Sequence, residues 1–360
     1  MQMSFLGWNQ RFAAAFTAHA SAGLVPGRVI QQFNHLYTVA TGWGEMRAQL
    51  SGRLRYEVAR DQLPVTGDWV ALRVPSNQSS PNQDAAQIQA VLPRATRFSR
   101  RAAGKSDHEQ VVAANLDYAF LITGLDNDFS PRRIERYLTA AWESGATPVV
   151  VLNKLDLCAD PASRIHAVES VALGTAIHAV SALCGDGIQE LARYCVPGQT
   201  VAMLGSSGVG KSTLINRLVG SESQSTHPVR EDGRGRHTTT RRELLFCAGG
   251  GMVIDTPGMR ELQLWDDEGL QMTFDEIETL ARNCRYRDCR HRGEPGCAVA
   301  EAVNAGTLGA ERLSSMHKLQ SELAWLDRRD DPAADLAEKR RWKNIHKSAK
   351  RFMSESPKHK

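Results

Sequence analysis

At 360 residues, with 42% of them hydrophobic, the chain exceeds one typical domain and holds apolar residues enough for two or three. No apolar run approaches the roughly 18 residues of a membrane-spanning helix, and Trp8, Asn9, Gln10 and Arg11 break up the segment where a secretory signal would be continuous, so a cytoplasmic protein without membrane contact is expected. Net charge is +4, yet residues 339–360 hold nine Lys or Arg against one acid, so this stretch carries +8 and the remainder −4.

Residues 1–20 read as a helical extension. Short alternating stretches follow at 27–40, 45–50, 54–58, 68–74 and 86–92, separated by Gly67-Asp68 and by the Ser-, Asn-, Gln- and Pro-rich residues 75–84. Five short strands between turn signals predict a small β-barrel over 21–100, of the OB type or else SH3-like. Its aromatic residues Phe33, Tyr37, Trp43 and Trp69 are expected to divide between core and surface, the surface members suiting base stacking.

After a basic connector with Arg94, Arg97, Arg100, Arg101 and Lys105, residues 101–264 alternate strand and helix. Strands are expected at 116–123, 147–152, 176–181, 200–204, 243–247 and 252–255, with a helix over 131–144 that opens on Pro131. That rhythm specifies an α/β domain with a mostly parallel sheet, whose ligands sit at the carboxyl ends of the strands.

Two motifs fall at such ends. Asn153-Lys154-Leu155-Asp156 follows one strand, and Ser181-Ala182-Leu183 ends the next. A single carboxylate at Asp156 can accept both the N1–H and the amino group of guanine, where adenine offers an acceptor and leaves the carboxylate unpaired. Lys154 would lie over the base, Asn153 would tie this loop to a phosphate loop, and a backbone N–H near Ala182 would meet guanine O6.

The phosphate loop comes later in the chain: Gly205-Ser206-Ser207-Gly208-Val209-Gly210-Lys211-Ser212 satisfies G-x-x-x-x-G-K-S between a strand and the helix-forming Thr213 to Leu218. Glycines allow backbone N–H groups to converge on phosphate oxygens, Lys211 adds charge, and Ser212 can ligate Mg²⁺. A base loop ahead of the phosphate loop reverses the usual GTPase order, so a circularly permuted P-loop GTPase domain is expected.

Asp255-Thr256-Pro257-Gly258 then offers an acid for water-mediated Mg²⁺ contact and a Gly N–H for the γ-phosphate. Between these elements, Gly235-Arg236-His237-Thr238-Thr239-Thr240 supplies hydroxyls that can complete the Mg²⁺ shell, Thr239 being favoured with Thr238 and Thr240 as alternatives. Met259 occupies the place where a GTPase commonly carries the glutamine that orients attacking water, which makes His237 the candidate for that task.

Cys284, Cys289, His291 and Cys297 give C-x₄-C-x-H-x₅-C, three thiolates and one imidazole in a closed set suited to one structural Zn²⁺ per chain, in a small helical domain over 265–330. Arg285, Arg287, Arg290 and Arg292 lie between the ligands, and the basic residues 331–360 form a tail suited to a polyanion.

With the permuted order, Gly-Arg-His-Thr-Thr-Thr at 235–240, Asp255 to Arg260 and the cysteine set ending Glu294-Pro295-Gly296-Cys297, the chain resembles the bacterial small-subunit-dependent ribosomal GTPases over nearly its whole length. The resemblance implies an N-terminal OB-fold, a central permuted GTPase domain and a C-terminal zinc domain. It further implies a monomer that binds GTP and GDP, contacts the small ribosomal subunit and its rRNA late in maturation, and hydrolyses GTP when the subunit stimulates it. The nucleotide motifs of that family map onto Asn153, Lys154, Asp156, Gly205 to Thr213, Thr239 and Asp255. A GTPase that hands zinc to another protein and a non-catalytic RNA-binding scaffold are the rival readings, and closed metal ligation disfavours the first.

Overall fold

In the computed structural model, which describes residues 2–33, 36–75, 85–101, 109–220, 243–255 and 268–330, helix α1 (Gln10–Ser21) opens on Asn9, whose side chain accepts the N–H groups of Arg11 and Phe12. Its buried residues Phe12 and Phe16 meet Trp8, and the Trp8 and Phe12 rings lie 4.7 Å and 5.8 Å from that of the fully buried Trp69. Aromatic packing thus seats the helix on the barrel.

The barrel strands are β1 (Val25–Phe33), β2 (Leu36–Thr41), β3 (Gly44–Leu50), β4 (Trp69–Arg73) and β5 (Ala86–Val91). They run in the order β1-β2-β3-β5-β4, and β4 pairs back to β1, so the sheet closes. Only β3 and β5 are parallel among these neighbours. Alternate residues Val29, Tyr37, Val39, Val70, Leu72 and Ile88 fill the interior. The expectation of a strand at 54–58 is corrected: Ser51 caps a short helix α2 (Gly52–Tyr56) by accepting the Leu54 N–H, and Leu54 alone turns inward while Arg53, Arg55 and Tyr56 stay exposed. The stretch 27–40 supplies two strands rather than one, which restores the count of five. Tyr37 and Trp69 are core; Phe33 and Trp43 are surface.

The basic connector is also structured. Strand β6 (Arg97–Arg101) pairs antiparallel with β7 (Glu109–Ala114), because Phe98 and the run Val111 to Ala114 are buried.

The α/β layer comprises β8 (Tyr118–Gly124), α3 (Pro131–Glu143), β9 (Thr147–Asn153), α4 (Pro161–Glu169), β10 (Ala176–Ala179), α5 (Ile188–Ala192), β11 (Thr200–Gly205), α6 (Lys211–Val219), β12 (Glu243–Phe246) and β13 (Met252–Asp255). Its sheet runs β10-β9-β8-β11-β13-β12, parallel except for β12. Strands covered on both faces read as continuous apolar runs, and Val149 to Leu152 and Val201 to Leu204 are all fully buried. From β8 the chain moves outward to β9 and β10 and then returns to β11 on the other side of β8. The strand order therefore reverses between β8 and β11, where a parallel sheet opens a crevice at its carboxyl edge.

Barrel and sheet join through the register pair Gln31 and Glu243 and through Arg28, which is 1% exposed. The Arg28 guanidinium donates to the carbonyls of Leu6, Gly67 and Asn115. Burial lowers its pKa to about 10, against the opposing pull of Asp117 and Asp68, so it remains charged at neutral pH.

The chain divides into two compact units, residues 1–264 with 271–275 and residues 265–270 with 276–360. Later helices are α7 (Glu268–Thr273), α8 (Asp275–Ala281), α9 (Ala298–Asn304) and α10 (Ala310–Asp330). In the second unit Ile277, Val299, Leu308, Met316, Leu319 and Leu323 are buried, and Arg312 holds Glu276 at 2.6 Å. Among the described residues no helix is long and apolar enough to cross a membrane.

Candidate nucleotide site and metal centre

Strand β11 delivers Gly205 to the carboxyl edge, where a Cβ would stand 2.5 Å from the Ile122 carbonyl oxygen of β8. Only glycine permits that approach. Gly208 and Gly210 turn the loop with φ +80° and +96°, and a Cβ at Gly210 would collide with the Asn153 side-chain nitrogen. Buried Val209 pins the loop to the core beneath. Helix α6 then begins at Lys211, which aims the first-turn N–H groups, with Ser212 and Thr213, at the space above the loop. Lys211 Nζ donates to the Gly205 and Ser206 carbonyls at 2.8 Å and 2.7 Å, folding back on the start of the loop.

Asn153, 2% exposed at the end of β9, reaches across to this loop. Its Nδ2 donates to the Val209 carbonyl at 2.7 Å, and its Oδ1 accepts the Ala182 N–H at 2.9 Å. Lys154 takes a left-handed backbone, φ +66°, and Leu155 N–H bonds the Val180 carbonyl at 3.0 Å. Asp156 is exposed, and its Oδ1 accepts the hydroxyl of fully buried Ser181 at 2.5 Å. Arg217 of α6 donates to the Ala182 and Leu183 carbonyls at 3.0 Å and 2.6 Å, bracing the loop that follows β10. Three loops after three different strands are thus hydrogen-bonded to one another.

Asp255, 4% exposed at the end of β13, stands in register with Met203 of β11. His237, Thr238, Thr239, Thr240, Gly258 and Met259 lie outside the described residues, as does the basic tail.

Sequence reasoning missed the loop after β8. Asp126 Oδ2 pairs with Lys154 Nζ at 2.6 Å, while Asp128 Oδ2 accepts the Ser206 hydroxyl at 2.6 Å and Arg133 Nη1 at 2.5 Å. Partial burial would raise both carboxyls; the Lys154 ammonium with the Asp128 N–H outweighs it at Asp126, and Arg133 with Ser206 at Asp128, so both lie below the ordinary carboxylate value. Two acids just after a strand end, at the sheet edge where the nucleotide motifs sit, were the available signal.

In the second unit, Cys284, Cys289, His291 and Cys297 bring their ligand atoms within 4.8 Å of one another, an arrangement that can hold a metal ion. Cys284 Sγ lies 3.6 Å from His291 Nδ1 and 3.9 Å from Cys297 Sγ, and His291 Nδ1 lies 3.4 Å from Cys297 Sγ. A left-handed backbone at His291, φ +56°, turns its ring toward the thiols, and buried Cys297 also caps α9 through the Ala300 N–H. Glu294 accepts the N–H groups of Arg290 and Arg292, which fixes the tight turn between ligands. His317 is not among the four; it donates Nε2–H to the Arg290 carbonyl at 3.0 Å.

A family model described as RsgA GTPase matches residues 91–265. The small ribosomal subunit biogenesis GTPase RsgA of Opitutus terrae is 50% identical over 353 residues, covering 96% of each chain. The crystal structure of YjeQ from Thermotoga maritima superposes with a TM-score of 0.63 at 28% identity, over 84% of this chain and 99% of that one. YloQ, described as a circularly permuted GTPase, gives a TM-score of 0.60 at 21% identity, over 84% of this chain and 95% of its own, which speaks to fold alone.

Proposed function

The chain belongs to the RsgA GTPase family, and from that premise we propose that it is a cytoplasmic, monomeric GTPase that binds the small ribosomal subunit through rRNA, acts late in the maturation of that subunit, and couples subunit-stimulated hydrolysis to its own release. The observation that carries the nucleotide part is the Asn153 bridge: a residue beside the base-reading Asp156 is hydrogen-bonded to the loop that leads into Lys211. One nucleotide can then span both.

In this reading Asp156 pairs with the guanine N1–H and amino group, Ala182 N–H faces O6, and Lys154 packs along the base. The N–H groups from Ser206 to Thr213 enclose the phosphates, with Lys211 on the β- and γ-oxygens. Ser212 and Thr239 would hold Mg²⁺, with Asp255 behind it; the ion supplies charge neutralisation on the terminal phosphates. Gly258 N–H would meet the γ-phosphate. Because Met259 cannot orient water, His237 takes that role when the subunit is bound, and His237→Ala should abolish stimulated turnover while GTP binding persists.

The metal of the second unit is read as one structural zinc. Tetrahedral ligation with Zn–S of about 2.3 Å and Zn–N of about 2.0–2.1 Å has S···S edges of about 3.8 Å and S···N edges of about 3.5 Å, which the separations above approximate. Four protein ligands leave no open position for chemistry.

Phosphate release from GTP, with and without purified small subunits, tests the reading. Slow turnover alone and multiple turnovers with subunits are expected, both absent in Lys211→Ala. Turnover that subunits do not accelerate would overturn the coupling.

A further inference from the structure

The loop after β8 carries two carboxylates to which the proposed chemistry gives no role. Asp128 N–H bonds Asp126 Oδ1 at 3.0 Å and Phe129 N–H bonds the Asp126 carbonyl at 3.2 Å, which closes a turn and sends the two acids to different neighbours. Asp126 takes Lys154 of the base loop; Asp128 takes Ser206 of the phosphate loop, with Arg133 Nη1 also 3.1 Å from the Ser206 oxygen. The turn itself is anchored. Leu125 N–H bonds the Asn153 carbonyl at 2.8 Å, and the Arg164 guanidinium from α4 lies 4.6 Å from the centre of the Phe129 ring.

We propose that Asp126 and Asp128 are positioning residues for guanine nucleotide, Asp126 orienting Lys154 along the base and Asp128, with Arg133, fixing the phosphate loop at Ser206, so that one turn sets the spacing of the two subsites. The inference rests on the guanine-nucleotide reading above and extends it. A lysine has a flexible four-carbon stem, and ordering it only when ligand arrives would cost affinity. The carboxylate removes that cost beforehand: at 24% and 26% side-chain exposure, the Lys154–Asp126 pair is screened less than a surface pair. Lys154 also takes a left-handed backbone, φ +66°, so carboxylate and backbone both constrain the same residue.

A merely structural ion pair would alter unfolding and leave nucleotide affinity alone, so both are measured on the full chain. Fluorescent GDP titration and nucleotide-free thermal unfolding are compared for wild type, Asp126→Ala, Lys154→Met and the double variant, with Lys211→Ala as the control. Asp126→Ala is expected to weaken GDP about tenfold with the unfolding midpoint nearly unchanged, to add nothing on top of Lys154→Met, and to recover in Asp126→Glu. Asp128→Ala and Ser206→Ala should couple in the same way. Wild-type affinity in Asp126→Ala, or effects of Asp126→Ala and Lys154→Met that multiply, would overturn the inference while the wild-type chain still binds GDP. A wild-type chain with no affinity for GDP would overturn the guanine reading, and the inference with it.

Discussion

Asn153 fastens Val209: its side-chain amide donates to that carbonyl at 2.7 Å, and the strand end beside Asp156 is thereby tied to the loop beside Lys211. The other end of the amide receives the Ala182 N–H at 2.9 Å, so one buried side chain registers three loops. Asn153→Ala leaves a buried acceptor and a buried donor without partners, at about 1–3 kcal/mol each. GDP affinity should fall by roughly tenfold to a hundredfold with the fold retained, as read by titration and circular dichroism. Gly210→Ala should do at least as much, since its Cβ would strike the same amide at a φ of +96°.

Asp156 is exposed and positioned by the Ser181 hydroxyl on Oδ1, which leaves acceptor capacity on Oδ2 and on Oδ1 itself. A carboxylate there suits two donors on the base. Asp156→Asn replaces one acceptor by a donor, which matches xanthine, whose N1–H lies beside a carbonyl. The variant should lose about 10³-fold or more in GDP affinity and gain affinity for XDP. Competition between the two diphosphates measures it; continued preference for GDP would show that Asp156 does not face the base.

What could be read in the chain followed how local the cause was. The phosphate loop, the base loop and the cysteine set are each written within a few consecutive residues, because the chemistry demands those types at those spacings, and they stand at strand ends or in one cluster. The barrel was legible as a count of strands, but α2 was not: an alternating pattern with one inward residue, Leu54, suits a strand or a single helical turn, and the Ser51 cap decides. Strand β7 was hidden because its buried run Val111 to Ala114 is short and carries no polar alternation that would mark a strand. The clamp at Asp126 and Asp128 depends on partners at Lys154 and Ser206, 28 and 78 residues along the chain, and the adjacency of β8 to β9 on one side and to β11 on the other brings them together.

The second unit is small, and a metal ion held by its four clustered ligand atoms would replace much of the core that a domain of that size otherwise needs. Removing the metal should therefore loosen that unit and spare the first. One zinc per chain is expected by elemental analysis, lost in Cys297→Ala, with hydrogen exchange rising in α9 and α10 and unchanged in β8, β9 and β11. Chelation that leaves exchange in α9 as slow as before would mean that the metal does not hold the unit together.

Acid should weaken the outer edge of the parallel sheet through His178. Burial lowers its pKa below the ordinary 6.5, with Glu190 pulling upward and Arg193 downward, and its Nε2 lies 2.9 Å from the Tyr194 hydroxyl. Tyr194 is itself pushed up by burial, so its phenol stays protonated and can donate to a neutral imidazole. With the folded pKa below the unfolded one, the unfolded chain takes the proton first. Stability from this group is then complete above about pH 6.5 and is lost as pH falls toward the folded value. Between pH 7.5 and 5.5 the unfolding midpoint of His178→Gln should drop by about 1–2 °C less than that of wild type. The comparison cancels the other titrating groups, which both proteins share, and an equal drop in the two would assign the acid sensitivity elsewhere.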